Sequence, residues 1–116
     1  MYKHISSDVI SNLESVDPGL CTQLMELFLS DLPQQKIKID QLKTPQTSFE
    51  FGKAIHALKG SIAVFGCPEI CKTLKDAELL AKENQFDQAV SLYERSQPLI
   101  TELTQEIQGY VKSKAS

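Results

Sequence analysis

The most informative segment of the chain is an apolar stretch with helical spacing at residues 49–66, which reads FEFGKAIHALKGSIAVFG. At about 100° per residue, its large apolar side chains lie within about 40° of one line, and they are Phe51, Ile55, Leu58, Ile62 and Phe65. This spacing predicts a helix from about Phe49 to Phe65 that buries the line in a core and stops at Gly66.

One histidine of this helix points away from the core line. His56 projects about 140° from the centre of that line, toward solvent. Gly52 lies four residues before it, Gly60 four after and Ala63 seven after. A glycine in a helix interior costs about 1 kcal/mol relative to alanine, and a surface helix has no structural reason to accept two. We therefore expect these small residues to clear a path by which another protein reaches the imidazole.

The charges around His56 suit an added anion. Lys53 and Lys59 lie three residues before and after it, near the same face of the helix. On this helix only Glu50, at its start, brings a carboxylate within reach, whereas a general base usually has an acid partner that orients its imidazole. The alternative is a solvated surface histidine without a task, which spacing alone would favour.

Helix signals also punctuate the first half of the chain. Ser6 or Ser7 can cap a short first helix. Asp17 and Pro18 predict the N-cap and the first turn of a second helix. Pro33 lies inside that helix's apolar pattern and should kink or split it. The apolar residues at helical spacing in the second helix are Leu20, Leu24, Leu27, Phe28, Leu32, Ile39 and Leu42.

The second half continues in the same way. Residues 43–48 predict a turn that ends in a cap at Thr47 or Ser48. Pro68 should open a fourth helix, residues 84–87 should break it from a fifth, and Pro98 should bend the fifth. The predicted core stripe of the fourth helix is Ile70 or Cys71, Leu74, Ala77 and Ala81.

These elements predict an all-α fold, an up-and-down four-helix bundle with a short N-terminal capping helix. The short helix covers about 7–14, the bundle about 17–111, and a polar, frayed tail 112–116. With 116 residues, we expect a single domain, residues 1–116, with one modest core.

Composition excludes several classes of function. The net charge is −3 and the lysines are scattered, so nucleic-acid binding is disfavoured. The absence of a long apolar run and of a signal-peptide core predicts a cytoplasmic chain without membrane insertion. Three cysteines are expected to be free, reduced and mostly buried. With only two histidines, His4 and His56, we expect no metal site.

The segment AIHALKGSIAVFG, residues 54–66, resembles the signature of the histidine-containing phosphotransfer (HPt) domain family. That signature is roughly A-H-x-L-K-G-S/A with a glycine about ten residues after the histidine, here Gly66. Weaker likenesses extend from about Ser7 to Val111. Two positions depart from the pattern: Lys75 stands where many relatives have glutamate, and Ile62 stands where small residues are frequent.

The resemblance implies that His56 is a phospho-acceptor. Lys59, with Lys53 nearby, would neutralise the phosphoryl oxygens, and Gly60 would leave room for the incoming partner. The implied function is a phosphorelay intermediate that takes a phosphoryl group from a receiver-domain aspartate and passes it to another receiver in two-component signalling. The implied partners are response-regulator receiver domains, with a hybrid sensor histidine kinase as a further candidate. Such a carrier needs no cofactor and is not an enzyme.

Two alternatives stay open at the level of sequence. The first is a kinase-linked phospho-acceptor module of the chemotaxis type, which has the same fold and is phosphorylated directly by an ATP-binding domain. The second is a helical protein-interaction module in which His56 is incidental.

Overall fold

The computed structural model describes residues 2–115, and helices make up nearly all of that range. The helices are α1 (Ser7–Val16), α2 (Leu20–Gln41), α3 (Ser48–Ala63), α4 (Pro68–Lys82) and α5 (Phe86–Ala115), with a 3₁₀ turn at Pro45–Thr47. Helices α2 to α5 pack in a ring, each against its two neighbours, and α1 packs on α2. The prediction of an all-α bundle with a short N-terminal helix is confirmed.

The core contains the line of α3 that the sequence predicted. Every member of the line is buried, and in α4 the buried stripe includes Ile70 while Cys71 is partly exposed. Aromatic side chains connect α3 to α5, because the Phe51 ring meets Tyr93 and Phe86 edge-on, each with ring centres 5.7 Å apart. Within residues 2–115, no helix is both long and apolar enough to cross a membrane.

The buried face of α2 differs from the predicted one. Leu27 was expected in the core, but it is 56% exposed, and the structure buries Cys21 and Met25 instead. The segment Leu24–Leu29 is apolar on several sides of the helix, so spacing alone could not choose the face that meets the other helices. Pro33 does not split α2, which continues to Gln41.

The helix caps are partly as predicted. Ser6 caps α1, and its hydroxyl oxygen accepts the backbone N–H of Val9 at 3.4 Å. Asp17 is not the N-cap of α2, as the sequence suggested. Asp17 is instead the C-cap of α1, and its carboxylate accepts the N–H of Gly19 at 2.9 Å within the tight turn at Pro18. That carboxylate is therefore engaged in the turn, and α2 begins only at Leu20.

The connection between α3 and α4 depends on an unusual backbone. Gly66, predicted to end α3, has φ +92°, and Cys67 after it has φ +51°. The N-terminal segment lies against this turn, because the N–H of Ser6 donates to the Phe65 carbonyl at 2.9 Å. A Cβ at Gly66 would lie 2.8 Å from the Ser6 Cβ, so glycine is required on both grounds.

Helix α5 extends into the C-terminal polar segment. Residues 112–115, expected to be frayed, continue α5, while Ser116 lies outside the described residues. Tyr110 donates its hydroxyl to the Glu14 carboxylate, and Lys114 pairs with the same carboxylate at 3.4 Å. These contacts attach the end of α5 to α1. Glu14 is far from Tyr110 and Lys114 in sequence, so the polar pattern of the tail does not predict them.

Helices α3 and α4 approach closely where the chain has Gly52. A Cβ there would lie 3.1 Å from the Glu78 carbonyl oxygen, 3.2 Å from Ala81 Cβ and 3.2 Å from Lys82 Cγ. One turn earlier, the Ser48 hydroxyl donates to the Ala81 carbonyl at 2.7 Å. Gly52 therefore has a packing reason to be glycine, which corrects the argument that a surface helix has none.

The two glycines of α3 give a matched test of this packing. Gly52→Ala should destabilise the chain by about 1–3 kcal/mol, because its methyl group would press on backbone and on Ala81. Gly60→Ala should stabilise it by up to about 1 kcal/mol, since nothing lies within 4 Å of a Cβ at that position. Urea denaturation of both variants measures the difference. Equal effects at the two positions would contradict the close approach at Gly52.

Candidate functional site

His56 lies on the outer face of α3, opposite the core line. Its side chain is 61% exposed, in agreement with the helical geometry of the sequence. Within residues 2–115, the hydrogen bonds of the imidazole are made by one of its edges. The Nδ1 atom lies 3.0 Å from Oε2 and 3.1 Å from Oε1 of Glu78, which belongs to α4.

The expectation that His56 has no acid partner is wrong. Glu78 comes from the neighbouring helix, 22 residues along the chain, so inspection of α3 alone could not find it. A signal was present in α4, because Glu78 falls within the apolar stripe that includes Leu74, Ala77 and Ala81. A glutamate among core residues is rarely buried without partners, and its position could have identified it as part of a site.

Glu78 gathers three donors on one buried carboxylate, whose side chain is only 8% exposed. Besides His56, Lys59 donates to Oε1 at 3.1 Å and Lys82 donates to Oε2 at 2.8 Å. We call these four residues, His56, Lys59, Glu78 and Lys82, the Glu78 cluster. The two lysines bind different oxygen atoms, so neither competes with the other for its acceptor.

The cluster keeps Glu78 ionised. Burial raises the pKa of this carboxyl, but the hydrogen bonds from Lys82, His56 and Lys59 outweigh burial and lower the pKa from 4.5 to about 2. An ionised carboxylate can only accept hydrogen bonds, so Nδ1 of His56 is the donor. In the neutral ring the lone pair is then on Nε2, at the edge away from Glu78.

The other residues predicted for the site lie in different surroundings. Lys53 is exposed, with its Nζ over the Phe49 ring at 6.0 Å, and it borders a groove between α2 and α3 together with Lys38. Among the described residues, the ion pairs of Glu78 do not include Lys53. Gly60 and Ala63 are exposed, as the access argument requires. Gly52 is buried against α4, so that argument does not extend to it.

The cysteines lie outside this site or at its margin. Cys21 and Cys67 are buried, and burial raises the pKa of the Cys67 thiol to about 12. Cys71 is partly exposed, and its Sγ lies 4.0 Å from the Lys59 carbonyl oxygen. All three are free thiols. Within residues 2–115, no group of three or more His, Cys, Asp and Glu side chains is arranged to hold a metal ion.

The lowered pKa of Glu78 has a measurable effect on stability. A carboxyl whose pKa falls on folding stabilises the fold above its unfolded value, near 4.5 here, and this stabilisation is lost as the pH falls toward about 2. Glu78→Gln should therefore lower the free energy of unfolding by about 1–3 kcal/mol at pH 7, and the deficit should shrink below pH 4.5. Urea denaturation at pH 7, 4.5 and 3 measures it.

Glu26→Gln is the matched control for this prediction, because Glu26 is exposed on α2. We expect that substitution to change stability by less than about 0.5 kcal/mol at every pH. A deficit for Glu78→Gln that stays constant from pH 7 to pH 3 would contradict the assignment of a buried, ionised carboxylate.

Comparison with known families finds a match. The family model described as Hpt domain matches residues 23–110, a range that contains all four members of the Glu78 cluster. No curated protein and no solved structure is similar enough to the chain to be a significant match. The family match covers about three quarters of the sequence, including the segment around His56. On this evidence the chain belongs to the Hpt domain family.

Proposed function

We propose that the chain is a phosphorelay intermediate that accepts a phosphoryl group on Nε2 of His56 from a receiver-domain aspartate and passes it to another receiver. Hpt domains are histidine phosphotransfer modules of phosphorelays, and receiver domains and kinases are their partners. The observation that carries the finer proposal is the bond from Nδ1 of His56 to Glu78. It leaves Nε2 as the nucleophilic atom of a largely exposed ring.

The chemical step needs no proton transfer by the bundle. The Nε2 lone pair forms the N–P bond while the P–O bond to the receiver's aspartate breaks, and the aspartate leaves as a carboxylate. Nδ1 keeps its proton, so the phosphorylated ring carries a positive charge. The Glu78 carboxylate, 3.0 Å from Nδ1, stabilises that charge. The same steps in reverse deliver the group to the next receiver.

Phosphoryl transfer proceeds mostly through a loose transition state that requires in-line positioning and charge neutralisation. Lys59 supplies a cation one helical turn from His56. The receiver would bring the aspartyl phosphate, Mg²⁺ and its own acidic residues, whereas the bundle brings Nε2 and Lys59. On this division of roles the chain is a carrier and substrate of transfer, without enzymatic activity of its own.

The surface around Gly60 supports access by a partner. Gly60 and Ala63 are exposed. The apolar side chains of Leu27 in α2 and Val64, directly after α3, are about half exposed and line one groove with Ser61. A partner can therefore approach His56 over small and apolar residues. Lys75, which departs from the family pattern, is exposed on α4, and we expect it to influence which partner docks.

Loss of phosphoryl acceptance by His56→Gln is the direct test. The variant should fold, with stability changed by about 1 kcal/mol, because it loses the part-buried hydrogen bond from Nδ1 to Glu78 while Lys59 and Lys82 still bind that carboxylate. Phosphoramidate and a panel of phosphorylated receiver domains serve as donors, and acid-labile phosphate on the chain is the readout. Phosphorylation of the variant to the native level would contradict the proposal. Acceptance only from an ATP-dependent kinase domain would favour the chemotaxis-type alternative.

Gly60 separates access from stability. Gly60→Gln should keep or raise the melting temperature, since glycine is the poorer helix former, but should sharply slow transfer from a receiver by covering the approach to His56. Gly60→Ala should fall between. Gly109→Gln is the control, because Gly109 is an exposed glycine of α5 with nothing within 4 Å of its Cβ position. Normal transfer by Gly60→Gln would refute the access argument, and unfolding would indicate a packing role.

A further inference from the structure

The second lysine of the Glu78 cluster, Lys82, has no direct role in the proposed acceptance of a phosphoryl group by His56. Lys82 binds Oε2 of Glu78 at 2.8 Å, the shortest contact in the cluster, and its side chain is only 33% exposed. It is four residues from Glu78 on the same helix. Lys59, which belongs to α3, binds the other carboxylate oxygen, Oε1, at 3.1 Å. The carboxylate therefore has one lysine from each helix, and each can leave without displacing the other.

The charges in the cluster change when His56 is phosphorylated. Before phosphorylation, the two lysine ammonium groups and the one carboxylate of the cluster sum to a net charge of about +1. The phosphoryl group adds a charge approaching −2 on the far edge of the ring, and Lys59 is the cluster lysine on the His56 helix. For Lys59 to neutralise the new group, its ammonium must move from the carboxylate to the phosphoryl oxygens.

The transfer of the Lys59 ammonium away from Glu78 would be energetically unfavourable if Lys59 were the sole lysine bound to that carboxylate. A carboxylate that is 8% exposed and loses its last cation is an unpaired buried charge, which is strongly disfavoured. With Lys82 in place, Glu78 keeps one ammonium after Lys59 has left. Gly52 contributes by its small size, since a Cβ there would lie 3.2 Å from Lys82 Cγ and obstruct the lysine stem.

We propose that Lys82 is a positioning residue of the phosphotransfer site, which holds the Glu78 carboxylate so that Lys59 can transfer from that carboxylate to the phosphoryl group of His56. This inference rests on the proposed function of His56. Lys82 acts through Glu78 and Lys59 and makes no contact with the phosphoryl group. The Nδ1 bond of His56 to Glu78 persists throughout the exchange, so the ring keeps its orientation while its counter-ions rearrange.

The test compares charge removal at Lys82 with charge removal elsewhere on α4. Lys82→Met keeps the aliphatic stem and removes the ammonium, and Lys72→Met does the same at an exposed lysine that pairs with Asp76 at 3.2 Å, also four residues apart. With phosphoramidate as donor, Lys82→Met should slow phosphorylation of His56 by about tenfold, the size expected for loss of one hydrogen bond to a charged group. Lys72→Met should accept phosphate at the native rate.

A double substitution separates positioning from simple charge attraction. Because Lys82 acts through Lys59, Lys82→Met should slow phosphorylation by less in the Lys59→Ala background than in the native chain, whereas independent effects would multiply. Lys82→Arg, which retains a cation, should restore the rate, and this rescue also covers the case in which Lys82→Met folds poorly. Multiplicative rates, failure of the arginine rescue, or equal rates for Lys82→Met and Lys72→Met would overturn the inference.

Phosphorylation of the native chain distinguishes failure of the proposed function from failure of the inference about Lys82. If the native chain acquires no acid-labile phosphate from phosphoramidate or from receivers, both the proposed function and this inference fail. If it is phosphorylated normally and Lys82→Met behaves as Lys72→Met does, the function stands and only the role of Lys82 is wrong. Carboxyl NMR adds a readout that does not depend on transfer, since Lys82→Met should raise the pKa of Glu78 in the unphosphorylated chain.

Discussion

The buried carboxylate of Glu78 on α4 forms hydrogen bonds with His56 and Lys59 of α3, and the geometry of the site depends on these bonds. A charge that is removed from water must be compensated by partners with good geometry. Here the compensation comes from His56, Lys59 and Lys82, at distances between 2.8 and 3.1 Å. Because His56 and Lys59 belong to α3, a change in the register of the two helices would remove both of these donors and leave Lys82 of α4 as the remaining cluster donor. The carboxylate thus links α3 to α4 and fixes which edge of the imidazole faces α4.

Packing around the cluster maintains this register. Gly52 lets the helices approach closely, and the Ser48 hydroxyl donates to the Ala81 carbonyl from the first turn of α3. At the other end of the pair, Gly66 and Cys67 adopt positive φ in the connecting turn. The pair is therefore fixed at both ends, with the Glu78 cluster between them, so the site is built on rigid elements.

The two faces of α3 have different roles: the inner face contributes to the stability of the core, and the outer face carries the candidate site. The inner face buries apolar side chains such as Phe51 and Ile55, whose loss would leave cavities in the core. The outer face presents His56 and Gly60, where substitution disturbs little packing. In the proposed function, this separation would allow a phosphoryl group to be added and removed without unfolding the bundle. The proposed transfer with a receiver would require such a surface, since the partner would have to reach Nε2 while the core remains closed.

The sequence by itself determined the helical fold, the core line of α3, the exposure of His56 and the glycine that ends α3. Each of these follows from the spacing of residues within one helix or turn, which local geometry dictates. Tertiary structure decided which face of α2 is buried, where Leu27 is exposed and Met25 is not. It also decided the ordered end of α5, which depends on contacts between Tyr110 and Glu14.

The partner of His56 belongs to this second group. Glu78 is 22 residues away in sequence but 3.0 Å away in space, and spacing within α3 contains no information about a side chain on another helix. The packing role of Gly52 was hidden for the same reason, because the atoms that a Cβ would meet all belong to α4. The sequence of α3 specified the exposed histidine, whereas the docking of α4 decided which of its two nitrogen atoms is free, because that docking brings the buried carboxylate against Nδ1.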